Sequence, residues 1–174
     1  MMNEKELKET IRSIPDFPKP GILFRDITTL LKDRVAYESL IHSLADSLRE
    51  LDVDIVIGPE ARGFVIGSAV AYAINAGFVV ARKPGKLPCE TCKISYGLEY
   101  GDDCLEIHED AIEPGQRIAI VDDLLATGGT ALATIKLAED MGATVVAAAF
   151  AIELSDLNGR ERLDGHNVIS VIKY

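Results

Sequence analysis

The sequence predicts an α/β fold: an open, mainly parallel twisted sheet flanked by helices. Three observations lead there. From Val53 to Ile172, apolar runs of strand length alternate with segments of helical periodicity, the pattern of repeated βαβ units. Runs such as Ile118-Ala119-Ile120-Val121 are solidly apolar, which suits strands covered by helices on both faces. The 174 residues are 48% hydrophobic and 26% charged and hold no low-complexity tract, so one globular domain spanning 1–174 is expected.

The elements follow in order. Leu7, Ile11 and Ile14 recur at helical spacing, so a short amphipathic helix is expected to run up to Pro15. Pro18, Pro20 and Gly21 forbid a helix through the next stretch, which makes Ile22, Leu23 and Phe24 an unusual apolar group for a loop. Ile22 is expected to tuck into the core. Leu40, Ile41, Leu44, Leu48 and Leu51 form a stripe that marks a helix ending at Asp52. A strand over 53–57, a helix over 64–76 and a strand over 78–81 come next. A second series places a strand at 118–121, a helix at 130–141 and a strand at 143–151, with a short helix at 158–163 before a last strand at 168–172.

Residues 83–108 break this rhythm. Pro84, Gly85, Pro88, Gly97 and Gly101 lie among polar residues, and then Leu105 and Ile107 alternate as in a strand. Long irregular segments in compact domains are usually functional or disordered, and this one reads as a β-hairpin-like excursion placed to close over a ligand.

Composition narrows the function. A net charge of -10 disfavours a general nucleic-acid partner, because phosphate backbones are held chiefly by Lys and Arg. Any bound phosphate must therefore meet a local group of cations. The longest apolar stretch is far shorter than the roughly 20 residues of a bilayer span. Residues 1–8 lack the apolar core of a secretory signal, so a cytoplasmic protein is expected. Cys89, Cys92 and Cys104 form an odd set that argues for free thiols rather than a disulfide framework. Cys89 and Cys92 make a CxxC, but no second pair accompanies it and only Cys104 and His108 remain as partners, which disfavours a metal site.

The densest chemical signal runs from Ile118 to Thr130. A buried strand leads into the carboxylates Asp122 and Asp123, then into Leu124-Leu125-Ala126-Thr127-Gly128-Gly129-Thr130 and a helix. In open α/β sheets, ligands bind beyond the carboxyl ends of the strands. Glycines let the backbone approach an anion, Thr127 and Thr130 supply hydroxyls, and the helix N-terminus adds unpaired N–H groups. One phosphate monoester fits this cradle, while the two acids can accept hydrogen bonds from a ribose diol. Taken singly, Gly128-Gly129 could be a tight turn and Asp122-Asp123 a solvated strand end, but their convergence favours a site. Other nucleotide folds fit poorly: GxGxxG is absent, and Gly58 to Gly63 has Walker-like glycine spacing without the Lys and Ser or Thr that should follow.

This segment resembles the signature of the type I phosphoribosyltransferases, and four further stretches extend the likeness over almost the whole chain. These are Phe17-Pro18-Lys19-Pro20-Gly21-Ile22-Leu23-Phe24-Arg25-Asp26-Ile27, Glu60-Ala61-Arg62-Gly63-Phe64, Arg82-Lys83-Pro84-Gly85-Lys86-Leu87-Pro88 and Ser95-Tyr96-Gly97-Leu98-Glu99-Tyr100-Gly101. Within that family they are most similar to the adenine phosphoribosyltransferases. The resemblance implies a small hood over 1–33 carrying a base-binding loop, and a mobile lid over 83–108. It implies that Asp122 and Asp123 hold the ribose hydroxyls and that Ala126, Thr127, Gly128, Gly129 and Thr130 take the 5-phosphate. Glu60, Ala61, Arg62, Arg82, Lys83 and Lys86 would meet the pyrophosphate, although a solvated face explains Lys86 equally well. The turn at Glu60-Ala61 is expected to contain a cis peptide. Leu23, Phe24, Arg25 and Leu124 would hold adenine, Phe24 by stacking and the loop mainly through its backbone.

Arg62 and Glu99 would take catalytic roles, Glu99 as acid or base, with Tyr100 in the lid that excludes water. Gly97 departs from the family pattern, and this weakens the assignment of Glu99. The implied activity is purine salvage, with 5-phosphoribosyl-1-pyrophosphate and adenine giving AMP and pyrophosphate, Mg²⁺ held by the substrate rather than by a dedicated protein cage, and a homodimeric assembly. A hypoxanthine or guanine enzyme is the first alternative. A non-catalytic regulator that senses the sugar pyrophosphate is the second, disfavoured because neither a DNA-binding domain nor a basic face is present.

Overall fold

Solid apolar runs become the strands of a sheet whose side chains alternate between two cores. This computed structural model describes residues 1–98 and 101–174, and the side chains of all of these except 96–98 and 101–103. In chain order, α1 (Glu4–Thr10) leads to β1 (Arg12–Ile14) and β2 (Phe24–Asp26), then α2 (Thr28–Lys32) and α3 (Arg34–Leu48). Next come β3 (Ile55–Pro59), α4 (Arg62–Ile74), β4 (Gly77–Ala81), β5 (Thr91–Leu98) and β6 (Gly101–His108). The chain continues through β7 (Arg117–Leu125), α5 (Gly129–Asp140), β8 (Thr144–Glu153), α6 (Gly159–Arg162) and β9 (Val168–Lys173).

The main sheet is parallel, in the order β4-β3-β7-β8-β9. Along β7, Ile118 and Ile120 point into one core with Ile57, Phe150, Ile135 and Leu137, whereas Ala119 and Val121 point into the other with Val56, Leu40, Leu44, Ile66 and Val70. Helices α3 and α4 cover the second core and α5 the first, so both faces of the sheet are dry. Burying each of the α3 leucines fully contributes about 1.5–3 kcal/mol. The excursion folds as the antiparallel hairpin β5–β6, tied to the sheet edge where the Arg82 and Glu106 backbones exchange hydrogen bonds of 2.9 and 2.7 Å. No helix among the described residues is long and apolar enough to cross a membrane.

Three expectations need correction. The first helix does not reach Pro15: it ends at Thr10, Ile11 turns extended, and Ser13 and Ile14 enter β1, opposite Arg25 and Phe24 of β2. Cross-strand pairing and an ion pair between Arg12 and Asp26 hold the segment there, an outcome that helical spacing could not anticipate. The strand expected at 118–121 continues to Leu125, because Asp122, Leu124 and Leu125 stay paired with Phe150, Ile152 and Glu153 of β8. Asp122 and Asp123 therefore sit on a rigid strand rather than in a loop. Ile22 is 44% exposed and does not enter the core, since the turn that carries it projects beyond the β1–β2 pair.

Asp26 organises this N-terminal pair. Its carboxylate accepts from the Thr28 hydroxyl at 2.6 Å, from the Arg12 guanidinium and from the Thr28 amide at 3.0 Å. These partners, the Thr28 hydroxyl first, lower its pKa from the ordinary 3.8 to about 2. Because the folded value lies below the unfolded one, this stabilisation is present above pH 4 and is lost as the pH falls through 4 toward 2. Asp26→Asn is expected to cost about 1 kcal/mol at neutral pH, with the difference from the parent vanishing near pH 2. Denaturant titrations at a series of pH values check this, and a pH-independent difference would contradict it.

Candidate active site

The site arises where the chain's connections part. From β3 the chain passes into α4 on one face of the sheet and then to β4, while its other neighbour β7 passes into α5 on the opposite face. The carboxyl ends of β3 and β7 are left uncovered, as expected at a switch point of strand order. A crevice of about 290 Å³ opens there, lined by Glu60, Ala61 and Arg62 after β3 and by residues 122–131 at and after the end of β7.

Both helices that border the crevice begin without a side-chain cap. Ala61 is the N-cap of α4 and Gly128 that of α5, and neither supplies a capping oxygen. The first N–H groups of an α-helix have no partner within the helix, and its N-terminus carries a partial positive charge. Two such ends converge on one small space, which suits an anion with several oxygens. Gly128 holds φ at 78°, a left-handed conformation that glycine adopts without strain, and this lets the chain swing from strand to helix in a few residues. The Glu60–Ala61 peptide is cis, as the family resemblance implied.

Between the two helix ends lie the acids. Arg62 donates from Nε to Asp123, whose carboxylate is only 7% exposed, so the guanidinium is drawn over the crevice instead of out into solvent. Burial, together with the neighbouring Asp123 carboxylate, pushes the Asp122 carboxyl well above the usual carboxylate range. The Asp123 amide donates to Asp122 Oδ1 at 2.8 Å and offsets part of that penalty.

The other expected cations gather one step away. Glu60 Oε2 accepts from Arg82 Nε and Nη2 at 3.1 Å each, Lys86 Nζ lies 3.1 Å from Oε1, and the Lys83 amide donates to Oε1 at 2.8 Å. Burial opposes the Glu60 charge, yet the Lys83 amide, Lys86 and Arg82 together hold its pKa below the ordinary value. Glu60 thus acts through its side chain as an anchor for basic groups. Arg82, Lys83 and Lys86 do not line the crevice itself.

Leu124 lines the crevice, but Leu23, Phe24 and Arg25 do not. Phe24 meets Phe17 edge-on with ring centroids 5.1 Å apart, and Leu23 is 49% exposed. The Arg25 side chain turns away to lie 3.8 Å from the centre of the Tyr174 ring. Glu99 and Tyr100 lie outside the described residues. None of Cys89, Cys92 and Cys104 is in a disulfide, and Cys92 packs beside Ile107 against the core.

Sequence reasoning missed one support behind the site. Gly159 presses its backbone against Ala126, so closely that a Cβ there would lie 2.1 Å from the Ala126 carbonyl oxygen. An Asn-Gly ahead of a short helical stretch is the only local signal, and it says nothing about a partner more than thirty residues upstream.

The raised pKa of Asp122 has a definite sign. A folded value above the unfolded one means that ionisation opposes folding, so this group lowers stability as the pH rises through the raised value. Asp122→Asn keeps an oxygen for the Asp123 amide and removes the charge. It is expected to raise the melting temperature by a few degrees at pH 8, equivalent to about 1 kcal/mol, while impairing function. Calorimetry on both proteins checks this, and a lower melting temperature in the variant would refute it.

Comparison with known proteins agrees with this geometry. The family model for the phosphoribosyl transferase domain matches residues 28–173. The adenine phosphoribosyltransferase of Alkaliphilus metalliredigens is 62% identical over 168 residues, covering 97% of this chain and 99% of that protein. The crystal structure of adenine phosphoribosyltransferase from Thermoanaerobacter pseudethanolicus superposes with a TM-score of 0.96 at 53% identity, covering 99% of this chain and 100% of the other. The Saccharomyces cerevisiae enzyme, solved with an imino-altritol bisphosphate and adenine, gives a TM-score of 0.91 at 38% identity over 97% of this chain and 98% of its own. A crevice built from two open helix ends and an acidic pair, on a chain this similar from end to end, places the protein in the phosphoribosyltransferase family, among the adenine phosphoribosyltransferases.

Proposed function

We propose that this protein is a purine salvage enzyme, transferring the 5-phosphoribosyl group of 5-phosphoribosyl-1-pyrophosphate to adenine to give AMP and pyrophosphate. The observation that carries this reading is the convergence of the two uncapped helix ends with Asp122 and Asp123 in one crevice. The N-terminus of α5, with Ala126, Thr127, Gly128, Gly129 and Thr130, suits the 5-phosphate, and the carboxylates suit the ribose diol. The N-terminus of α4 and Arg62 suit the pyrophosphate, and the group that Glu60 holds together is a second source of positive charge as Arg82, Lys83 and Lys86 approach.

In the reaction a ring nitrogen of adenine forms a bond to the anomeric carbon as the bond from that carbon to the pyrophosphate oxygen breaks; the electron pair leaves with pyrophosphate, and the proton that adenine gives up passes to a base. Charge on the sugar becomes more positive and charge on the leaving group more negative. Preorganised donors and cations stabilise that separation without reorganising. Glu99 is assigned as acid or base and Tyr100 to the lid by family resemblance, with 83–108 as the lid and 1–33 as the hood of a single domain. Leu23, Phe24 and Arg25 would recognise the base through ring and backbone, with Leu124 on the crevice side.

Mg²⁺ is the proposed metal, held mainly by substrate oxygens. Among the described residues the side-chain donors that line the crevice are hard ones, the carboxylates of Glu60, Asp122 and Asp123 and the hydroxyls of Thr127 and Thr130, which fits this ion. When bound it would offset the charge of the pyrophosphate. A cytoplasmic location accords with three cysteines of which none is in a disulfide. A homodimer accords with apolar side chains turned outward on α3 and α4, where Val35 is 52%, Val65 46% and Tyr72 90% exposed.

A panel of purine bases incubated with the sugar pyrophosphate and Mg²⁺ tests the function. Adenine is expected to yield AMP, with hypoxanthine and guanine at least about tenfold less efficient, or roughly 1.4 kcal/mol in the transition state. Equal turnover of all three would remove the adenine assignment. Asp123→Asn is expected to lower kcat/KM by about a hundredfold, because it removes both a diol acceptor and the partner of Arg62, whereas Cys92→Ser stays close to the parent. Steady-state rates that rank the two variants in the opposite order would refute these roles.

A further inference from the structure

The phosphate loop is supported from outside by a part of the chain that touches no proposed ligand position. Gly159 opens α6, and its backbone and that of residues 126–128 are in mutual contact. A Cβ on Gly159 would lie 2.1 Å from the Ala126 oxygen and 3.0 Å from Leu125 Cδ1, while a Cβ on Gly128 would lie 2.7 Å from the Gly159 oxygen. Neither side can gain an atom unless a backbone moves.

What presses Gly159 into place is the next residue. Arg160 donates from Nε to Glu153 Oε1 at 2.9 Å and from Nη2 to Glu153 Oε2 at 2.6 Å, a two-pronged ion pair. Its Nη1 donates to the Val168 carbonyl at 2.8 Å, so the guanidinium ties α6 to β8 and β9 together. Glu153 is buried, sits opposite Leu125 in the strand register, and has its pKa lowered chiefly by the hydrogen bonds from Arg160. The strand that leads into the loop is thus paired with the residue that anchors the brace. The Leu154 amide adds a bond to the Leu125 carbonyl at 2.9 Å, and Leu163, fully buried, pins the far end of α6.

We propose that Glu153 and Arg160 are positioning residues for the 5-phosphate, acting through Gly159 to hold the loop 126–130 in its anion-binding shape. This rests on the reading of that loop as the phosphate cradle. Helix α6 has only four residues and no side-chain cap, so it has little stability of its own and owes its place to the Arg160 fork. Lysine can supply the charge but not the planar fork, so it restores the brace only in part.

The test is steady-state kinetics with both substrates varied, on Arg160→Ala, Arg160→Lys and Gly159→Ala, with Thr127→Ala as a direct loop variant and melting temperatures for all. Arg160→Ala and Gly159→Ala are expected to raise KM for the sugar pyrophosphate about tenfold with KM for adenine little changed, and Arg160→Lys is expected to fall between parent and Arg160→Ala. Should Gly159→Ala not fold, the two Arg160 variants decide. A lowered melting temperature in Arg160→Ala with an unaltered KM for the sugar pyrophosphate, beside a raised KM in Thr127→Ala, would overturn the brace alone. An unaltered KM in Thr127→Ala as well would overturn the phosphate-loop reading and the brace with it.

Discussion

Because β3 hands the chain to α4 on one face of the sheet while β7, beside it, hands the chain to α5 on the other, the carboxyl ends of these two strands are left uncovered. Every feature of the site follows from that opening. Helices that leave adjacent parallel strands in opposite directions must both start at it, so two N-terminal dipoles face one space without any long-range device to aim them. Neither helix start is closed by a capping side chain, which leaves the donors for a ligand. The pairing of β7 with β8 as far as Leu125 then holds Asp122 and Asp123 on a strand of the sheet.

In a protein of net charge -10, the positive charge an anion requires has to be collected locally, and carboxylates do the collecting. Asp123 draws Arg62 over the crevice, Glu60 gathers Arg82 and Lys86, and Glu153 holds Arg160 behind the loop. Each of these acids is largely buried and each cation more exposed, so the fold positions the acid and the acid positions the base. Asp122 is the exception. Burial and the like charge of Asp123 beside it oppose its ionisation.

The hairpin β5–β6 and the pair β1–β2 stand at the margins of this plan. Both are antiparallel additions: the first meets the edge of the parallel sheet where the Arg82 and Glu106 backbones pair, and the second is held across its own two strands by Arg12 and Asp26.

The sequence alone determined the α/β class, the parallel sheet and the segment from Asp122 to Thr130 as a strand-to-helix switch, because these rest on local patterns: solid apolar runs for doubly covered strands, and glycines with hydroxyls where strand turns to helix. It also marked Arg62 and the cation cluster by residue type and by family likeness. It misplaced Ile14 and Ile22 and stopped β7 four residues short, since pairing with Phe24 and with β8 is a relation between distant segments that local periodicity does not contain. Only the tertiary structure decided that Glu60 anchors the basic residues, that Arg25 turns to Tyr174, and that Gly159 packs behind residues 126–128. Each of these is a contact between residues far apart in the chain, and such contacts exist only once the sheet has brought its strand ends together.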